Sequence, residues 1–201
     1  DGIYRRHGRL DGVIHGAGVL EDKLIRHKTA ESFARVFSTK LAGAATLVDR
    51  LREDVGFVVF FSSVAGAFGN RGQVDYAAAN DALDKLAWSL GARIPGRVVS
   101  INWGPWAGAG MVSPELERAY ARRGIGLIET DHGIQGLLDE LGRDAPADAQ
   151  VILMSGDPAL LLARITVATA TGRAANPADP GASRAERADH TGARADVALD
   201  A

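Results

Sequence analysis

A pair of serines closes the apolar run Phe57-Val58-Val59-Phe60-Phe61-Ser62-Ser63, and Tyr76-Ala77-Ala78-Ala79-Asn80 opens the helical pattern that follows it. Hydroxyls at the carboxyl end of a buried strand stand where open α/β sheets bind their ligands. Asn80 lies four residues after Tyr76, one turn along the same helix face, so both side chains can point back toward Ser63. A tyrosine hydroxyl titrates near about 10 and is a reluctant acid, so trading a proton near neutral pH requires a nearby cation that favours the phenolate. Each residue also has a plainer role when taken alone. A serine after a strand caps the next helix, a tyrosine packs against a core, and an asparagine on a helix faces water.

The elements that must position these groups are legible as four short apolar runs: Gly12–His15, Phe57–Phe61, Val98–Asn102 and Val151–Met154. They are continuous rather than alternating, as expected of strands buried on both faces of a parallel sheet. Between the first two, Phe33, Val36, Phe37, Lys40, Leu41, Ala44, Leu47, Val48 and Leu51 recur at helical spacing, which predicts a crossover helix over Thr29–Leu51. An Ala-rich helix is predicted over Asp75–Leu90, ended by Gly91 and Pro95. The third gap holds the Gly-, Pro- and Trp-rich stretch Gly104–Gly110, a short helical segment near Pro114–Arg122 and a helix over Asp131–Leu141. Repeated βα units of this kind build an α/β doubly wound sheet.

Composition bounds the remaining choices. The 201 residues are 46% hydrophobic and 24% charged, the balance of a folded protein rather than a wholly disordered or collagen-like one. Twenty-three Lys and Arg against 25 Asp and Glu leave a net charge of −2, which gives no field for nucleic acid or an anionic membrane. With no Cys there is no thiolate for zinc, an iron–sulfur cluster or covalent catalysis. His7, His27, His132 and His190 are scattered with respect to His15, so no metal site is expected. Residues 1–165 read as the folded domain. Residues 166–201 are Ala, Arg, Asp, Gly and Pro with few large apolar side chains, and are expected to form a disordered linker. The absence of a leader-like or spanning segment points to a cytoplasmic protein.

The Ser-Ser-x-Ala-Gly, Gly-x-x-Gly-Gln and Tyr-Ala-Ala-Ala-Asn elements resemble the ketoreductase domains of type I polyketide synthases and polyunsaturated fatty acid synthases, members of the short-chain dehydrogenase/reductase superfamily. The similarity covers roughly residues 2 to 160. It includes His15-Gly16-Ala17-Gly18-Val19 at a strand end, Lys40 in the position of the family's catalytic Lys, and Asn102-Trp103-Gly104-Pro105-Trp106 beside the nicotinamide. Ordinary superfamily members carry Lys four residues after the catalytic Tyr. Here that position is Asn80 and the Lys lies in the preceding crossover helix, the arrangement of synthase ketoreductases.

The resemblance implies a Rossmann-like sheet, NADPH as hydride donor, and a β-ketoacyl thioester on an acyl carrier protein as substrate, with neighbouring synthase domains as partners. Tyr76, Ser63, Lys40 and Asn80 are the implied catalytic set, although Lys40 alone would read as a surface charge. His15, Gly16, Ala17, Gly18, Ser62, Pro105 and Trp106 are the implied cofactor-side residues, His15 as a hydrogen-bonded structural residue rather than a base. Leu20-Glu21-Asp22 resembles the Leu-Asp-Asp motif of ketoreductases that give the D-configured (3R) alcohol. Phe68 stands where the opposite class carries Trp, and Met111 lies in a Gly-flanked stretch, Gly108–Gly126, expected to act as a lid.

The Gly-x-Gly pairs at Gly16 and Gly108 lack the rest of a dinucleotide fingerprint, so the diphosphate-binding βαβ half is expected to be missing. An unpaired apolar strand edge would then be exposed. Two other readings remain open at this level. One is a truncated, inert reductase-like module. The other is a free-standing dehydrogenase, which would predict Lys at position 80.

Overall fold

The protein is described by a computed structural model in which residues 2–108, 117–118, 120–121, 124–143 and 148–156 are placed. The expected linker 166–201, Met111 and most of the segment around Pro114 lie outside the described residues. Four parallel strands form one sheet in the order β1 (Gly12–His15), β2 (Phe57–Ser63), β3 (Arg97–Trp103) and β4 (Gln150–Leu153). The register pairs His15 with Phe60, Phe60 with Ser100, and Ser100 with Gln150, so the carboxyl ends gather along one edge. The four predicted strands are therefore present. β2 runs on through Ser63, and β4 stops one residue before Met154.

The helices are α1 (Gly2–His7), α2 (Ala30–Val48), the short α3 (Val64–Phe68), α4 (Val74–Gly91) and α5 (Thr130–Leu141), with one 3-10 turn at Ile25–His27. The crossover helix predicted over Thr29–Leu51 is shorter at both ends. Thr29 sits outside it as the N-cap, its hydroxyl accepting from the Ser32 amide at 3.2 Å, and Leu51 falls in the following turn.

Side-chain alternation along β2 explains why the strand is apolar throughout. Val58 and Phe60 join Val98 and face α2 and α4, packing on Ala44, Leu83, Ala87 and Leu90. Val59 and Phe61 face the other way with Val99, Ile101 and Trp103, against Leu137 and Leu141 of α5. Both faces of the central strands are thus covered by helices, as a parallel sheet requires, whereas on the edge strand β1 Ile14 is 48% exposed. On β3 the face toward α4 changes character, from Val98 to Ser100 and Asn102, as it nears the carboxyl edge. The helix α5 is tied to the start of β3 by a nearly buried ion pair, Arg97 to Glu140 at 2.9 Å. The helix α1 is held by the Tyr4 hydroxyl, which accepts from the Arg52 amide at 3.2 Å.

The turn into β3 brings two backbones unusually close. A Cβ on Gly96 would lie 2.4 Å from the carbonyl oxygens of both Gly56 and Val55, atoms that cannot swing aside. Gly96→Ala is therefore expected to destabilise the fold by about 1–3 kcal/mol, the usual range for overpacking. Thr29→Ala should cost about 1 kcal/mol through loss of the cap. Denaturant unfolding midpoints of the two variants check both values, and an unchanged midpoint for Gly96→Ala would contradict the close approach.

Candidate active site

The site is assembled where β2 ends. Ser63 is the last residue of the strand and also the N-cap of α3, its Oγ accepting from the Ala65 amide at 3.2 Å. The plainer capping role is therefore real, and it fixes the hydroxyl at the sheet edge beside Tyr76. Tyr76 enters from the first turn of α4, half-buried, with the Ser63 and Asn80 side chains close enough to its hydroxyl to act on its ionisation. Burial pushes that hydroxyl above the ordinary tyrosine value. The Ser63 and Asn80 contacts oppose the shift, while Asp22 and Tyr120 add to it. Both act on the hydroxyl through their charge, from segments distant in the chain.

Lys40 is no surface charge. It lies on the stripe of α2 that also buries Val36 and Ala44, and it is 3% exposed. Its ammonium donates to the Phe61 carbonyl at 2.8 Å and stands 5.5 Å from the centroid of the Tyr76 ring. Burial pulls its pKa down to about 8, and the negative charge of Asp84 works in the opposite direction. Asn80 is fully buried rather than solvated. Its Nδ2 donates to the Tyr76 carbonyl at 2.7 Å, and its Oδ1 has no partner among the described residues.

Beneath these groups lies a polar network whose hub, Asp84, was not anticipated from sequence. Asp84 is fully buried on α4. Its carboxylate accepts from Ser100 Oγ at 2.5 Å, Asn102 Nδ2 at 2.8 Å and Gln150 Nε2 at 3.1 Å. Asn102 Nδ2 also reaches the Ser63 carbonyl at 2.9 Å and Ser62 Oγ at 3.0 Å. Ser62 in turn donates to the Asn80 carbonyl at 3.3 Å. A signal was available: Asp84 interrupts an otherwise apolar stripe of Ala79, Leu83, Ala87 and Leu90, and Ser100 and Asn102 interrupt a buried strand.

The other sequence-selected residues distribute as follows. His15 is 5% exposed, and its Nε2 is 2.9 Å from the Lys40 carbonyl, so it braces β1 against α2. Burial holds its pKa below the ordinary histidine value. Gly16 and Ala17 are exposed just past β1, with Gly18 partly covered. Ser62 points into the interior, toward Asn102 and α4. Pro105 and Trp106 follow β3. The Trp106 ring lies over Gly133, where a Cβ would come within 2.2 Å of it, and its centroid is 4.8 Å from that of Trp103. Phe68 is the half-buried last residue of α3.

Leu20 is partly covered, and the two acids that follow it separate. The Glu21 carboxylate turns to α2, accepting from Ser32 Oγ at 2.6 Å and from Arg35 at 2.8 Å, and these bonds hold its pKa at about 2. The Asp22 carboxylate instead accepts from Gln73 at 2.9 Å. Among the described residues no cluster of three or more His, Cys, Asp or Glu could hold a metal ion. No described helix is long and apolar enough to cross a membrane.

The Lys40 shift carries a stability consequence with a definite sign. Its folded pKa, about 8, lies below the unfolded value of 10.5, so between these pH values the unfolded chain binds more protons. Stability contributed by this group therefore rises as pH goes from about 8 toward 10.5. Lys40→Met is expected to remove that rise, which paired urea titrations of the two proteins across the interval would detect; parallel curves would show that Lys40 is not desolvated in the folded state.

Comparison with known proteins gives a consistent result. Residues 2–108 match the KR domain family. The chain is 39% identical over 145 residues to a polyunsaturated fatty acid synthase protein of Thraustochytrium sp., covering 72% of this chain and 5% of that protein. It is 34% identical over 166 residues to polyketide synthase PksN of Bacillus subtilis, covering 78% of this chain and 3% of that one. Among solved structures, a ketoreductase domain from the bacillaene assembly line superposes with a TM-score of 0.70 at 36% identity, over 81% of this chain and 40% of that chain. The ketoreductase from the first module of phoslactomycin biosynthesis in Streptomyces sp. HK803 gives a TM-score of 0.72 at 32% identity, over 83% and 38%. The chain thus spans a small part of these synthases and under half of these two solved ketoreductases. With its parallel sheet, its helices on both faces and these relatives, the chain belongs to the ketoreductase domain family of type I polyketide synthases, within the short-chain dehydrogenase/reductase superfamily.

Proposed function

We propose that this domain reduces the β-keto group of an acyl thioester, carried on an acyl carrier protein, to the β-hydroxyacyl thioester at the expense of NADPH. The observation that carries the reading is the convergence on one tyrosine: the buried Lys40 ammonium 5.5 Å from the Tyr76 ring centroid, Ser63 at the end of the neighbouring strand, and Asn80 bonded to the Tyr76 carbonyl one turn along α4. When bound, a reduced nicotinamide supplies a hydride to the carbonyl carbon. Its fit here rests on the shelf formed by the strand ends. Gly16 and Ala17 are small and exposed past β1, and a side chain at Gly16 would reach toward the Phe61 ring, 3.9 Å from its Cβ, and close that shelf. Ser63, Pro105 and Trp106 complete the edge across β2 and β3. These residues serve the nicotinamide end. The resemblance places the diphosphate seat in a Gly-rich turn of which the described residues hold no counterpart.

The roles of the side chains follow from their chemistry. Ser63 donates its hydroxyl hydrogen to the substrate carbonyl oxygen and holds it within reach of Tyr76. Tyr76 gives its proton to that oxygen as negative charge develops there, so the carbonyl gains one hydride and one proton to become the alcohol. The phenolate left behind is stabilised by the Lys40 cation and recovers its proton from solvent. Asn80 holds the first turn of α4 through its bond to the Tyr76 carbonyl, which fixes the phenol against Lys40. The Leu20–Asp22 resemblance favours the D-configured alcohol.

Support for an enzyme over an inert module comes from the burial of Lys40, since a desolvated cation is costly to keep where it has no task. Asn80 in place of Lys speaks against a free-standing dehydrogenase. The test is oxidation of NADPH with a β-ketoacyl N-acetylcysteamine thioester, for the chain alone and for the chain joined to an upstream strand, Gly-rich turn and helix. Turnover is expected in the joined protein, and Tyr76→Phe should lower it by about 100- to 10,000-fold. The rate of reduction should also fall as pH rises past about 8, where Lys40 loses its proton. A folded, joined protein that binds NADPH and reduces nothing would overturn the reading in favour of a structural module.

A further inference from the structure

The loop from Leu20 to Lys28 is fastened to the start of α4 by contacts that the proposed chemistry does not use. The Lys23 amide donates to the Gly72 carbonyl at 2.9 Å, and Gln73 Nε2 donates to Asp22 at 2.9 Å. Deeper in, the Lys28 ammonium donates to Asp75 Oδ2 at 2.7 Å and also to the Glu21 carbonyl. Both side chains of this ion pair are buried, 4% and 1% exposed. The second Asp75 oxygen, Oδ1, accepts from the Tyr76 amide at 2.9 Å. One carboxylate therefore connects the backbone of Tyr76 to an ammonium that grips the backbone of the loop.

Stability alone does not account for such a pair. Two apolar side chains of similar volume would usually stabilise at least as well, because desolvating both charges offsets much of their attraction. What the pair adds is directionality: hydrogen bonds fix a distance and an angle between two segments where apolar packing tolerates sliding. The distance in question is that between Asp22 and the Tyr76 hydroxyl, already close enough for the Asp22 charge to act on the phenol. In a reduction whose proton donor is fixed, the configuration of the new alcohol depends on which way round the β-keto group lies against its walls. Asp22 is bonded to Gln73, three residues before Tyr76, so the loop that carries it lies beside the helix end from which the phenol enters.

We propose that Lys28 and Asp75 are positioning residues that hold the Leu20–Asp22 loop at one setting relative to Tyr76 and thereby fix the configuration of the β-hydroxy product; this rests on the ketoreductase reading. Neither residue touches the reacting atoms. Their effect is on the ratio of the two enantiomers, more than on the proton transfer itself.

The test compares Lys28→Met, Asp75→Asn and the double variant with the conservative Lys28→Arg and Asp75→Glu, all in the joined protein. Products are separated by chiral chromatography. Each neutralising variant is expected to lower the enantiomer ratio by about fivefold or more, and the double variant by no more than the worse single one, because the two groups act as a unit. Lys28→Arg, which keeps the charge, should recover most of the ratio, a recovery that a general loss of packing would not give. An unchanged ratio in folded, active Lys28→Met and Asp75→Asn proteins overturns the proposal. Hydrogen–deuterium exchange of residues 18–28 and 72–78, measured without substrate, separates it from the function. If the wild-type joined protein reduces nothing, the ketoreductase reading fails. Faster exchange of both segments in Asp75→Asn then still upholds the fastening, and unchanged exchange removes it.

Discussion

A lysine ammonium held inside the protein is the constraint around which this domain is arranged. Lys40 loses most of its hydration on folding, and its position is tolerated because three partners converge on it: the Phe61 carbonyl, the face of the Tyr76 ring and the more distant Asp84 carboxylate. Each partner comes from a different part of the chain. The carbonyl is available because it lies near the end of a strand, where the ladder begins to release its groups. The ring is available because α4 begins at that level. The carboxylate is available because β3 turns polar on the face it shares with α4. Moving any of these elements by one residue would leave a charge buried without compensation.

The Asp84 network supplies the second layer. A fully buried carboxylate with hydrogen bonds from Ser100, Asn102 and Gln150 joins α4 to two adjacent strands, and Asn102 extends the connection to the Ser63 carbonyl. Hydrogen-bonded groups of this kind specify register more sharply than apolar contacts, because a displaced donor loses its acceptor altogether. The serine that ends β2 is thus held from below by its backbone and from above by its capping bond to Ala65, while its hydroxyl stays at the edge.

Much of this was legible from the residues, and the limits have a physical origin. The strands were visible because burial on both faces demands unbroken apolar runs, and Phe57–Phe61 could hardly be anything else. Helix ends were displaced by a few residues, as at Leu51, where an apolar side chain packs on the core from a turn as readily as from a helix. Lys40, Ser63, Tyr76 and Asn80 were found through spacing and resemblance, and the fold brings them together. Lys28 with Asp75, and Asp84 with Gln150, were not found. They pair across 47 and 66 positions, and no local period encodes a partner at such a distance. In hindsight, an acid within an apolar helical stripe was the clue to Asp84.

The residues that α2 and α4 bury, at four-residue spacing, are small at several points: Ala44 on one helix, Ala79 and Ala87 on the other, all fully enclosed. The proton donor and the cation that tunes it therefore ride on separate helices, and their separation is set by how closely two backbones can approach. The interhelical spacing acts as a gauge block for the chemistry. Such a domain can vary its exposed surface freely, yet growth of Ala44 or Ala87 is closed to it, because both lie in the apolar cluster that the two helices share and an added methyl there would shift the cation relative to the phenol.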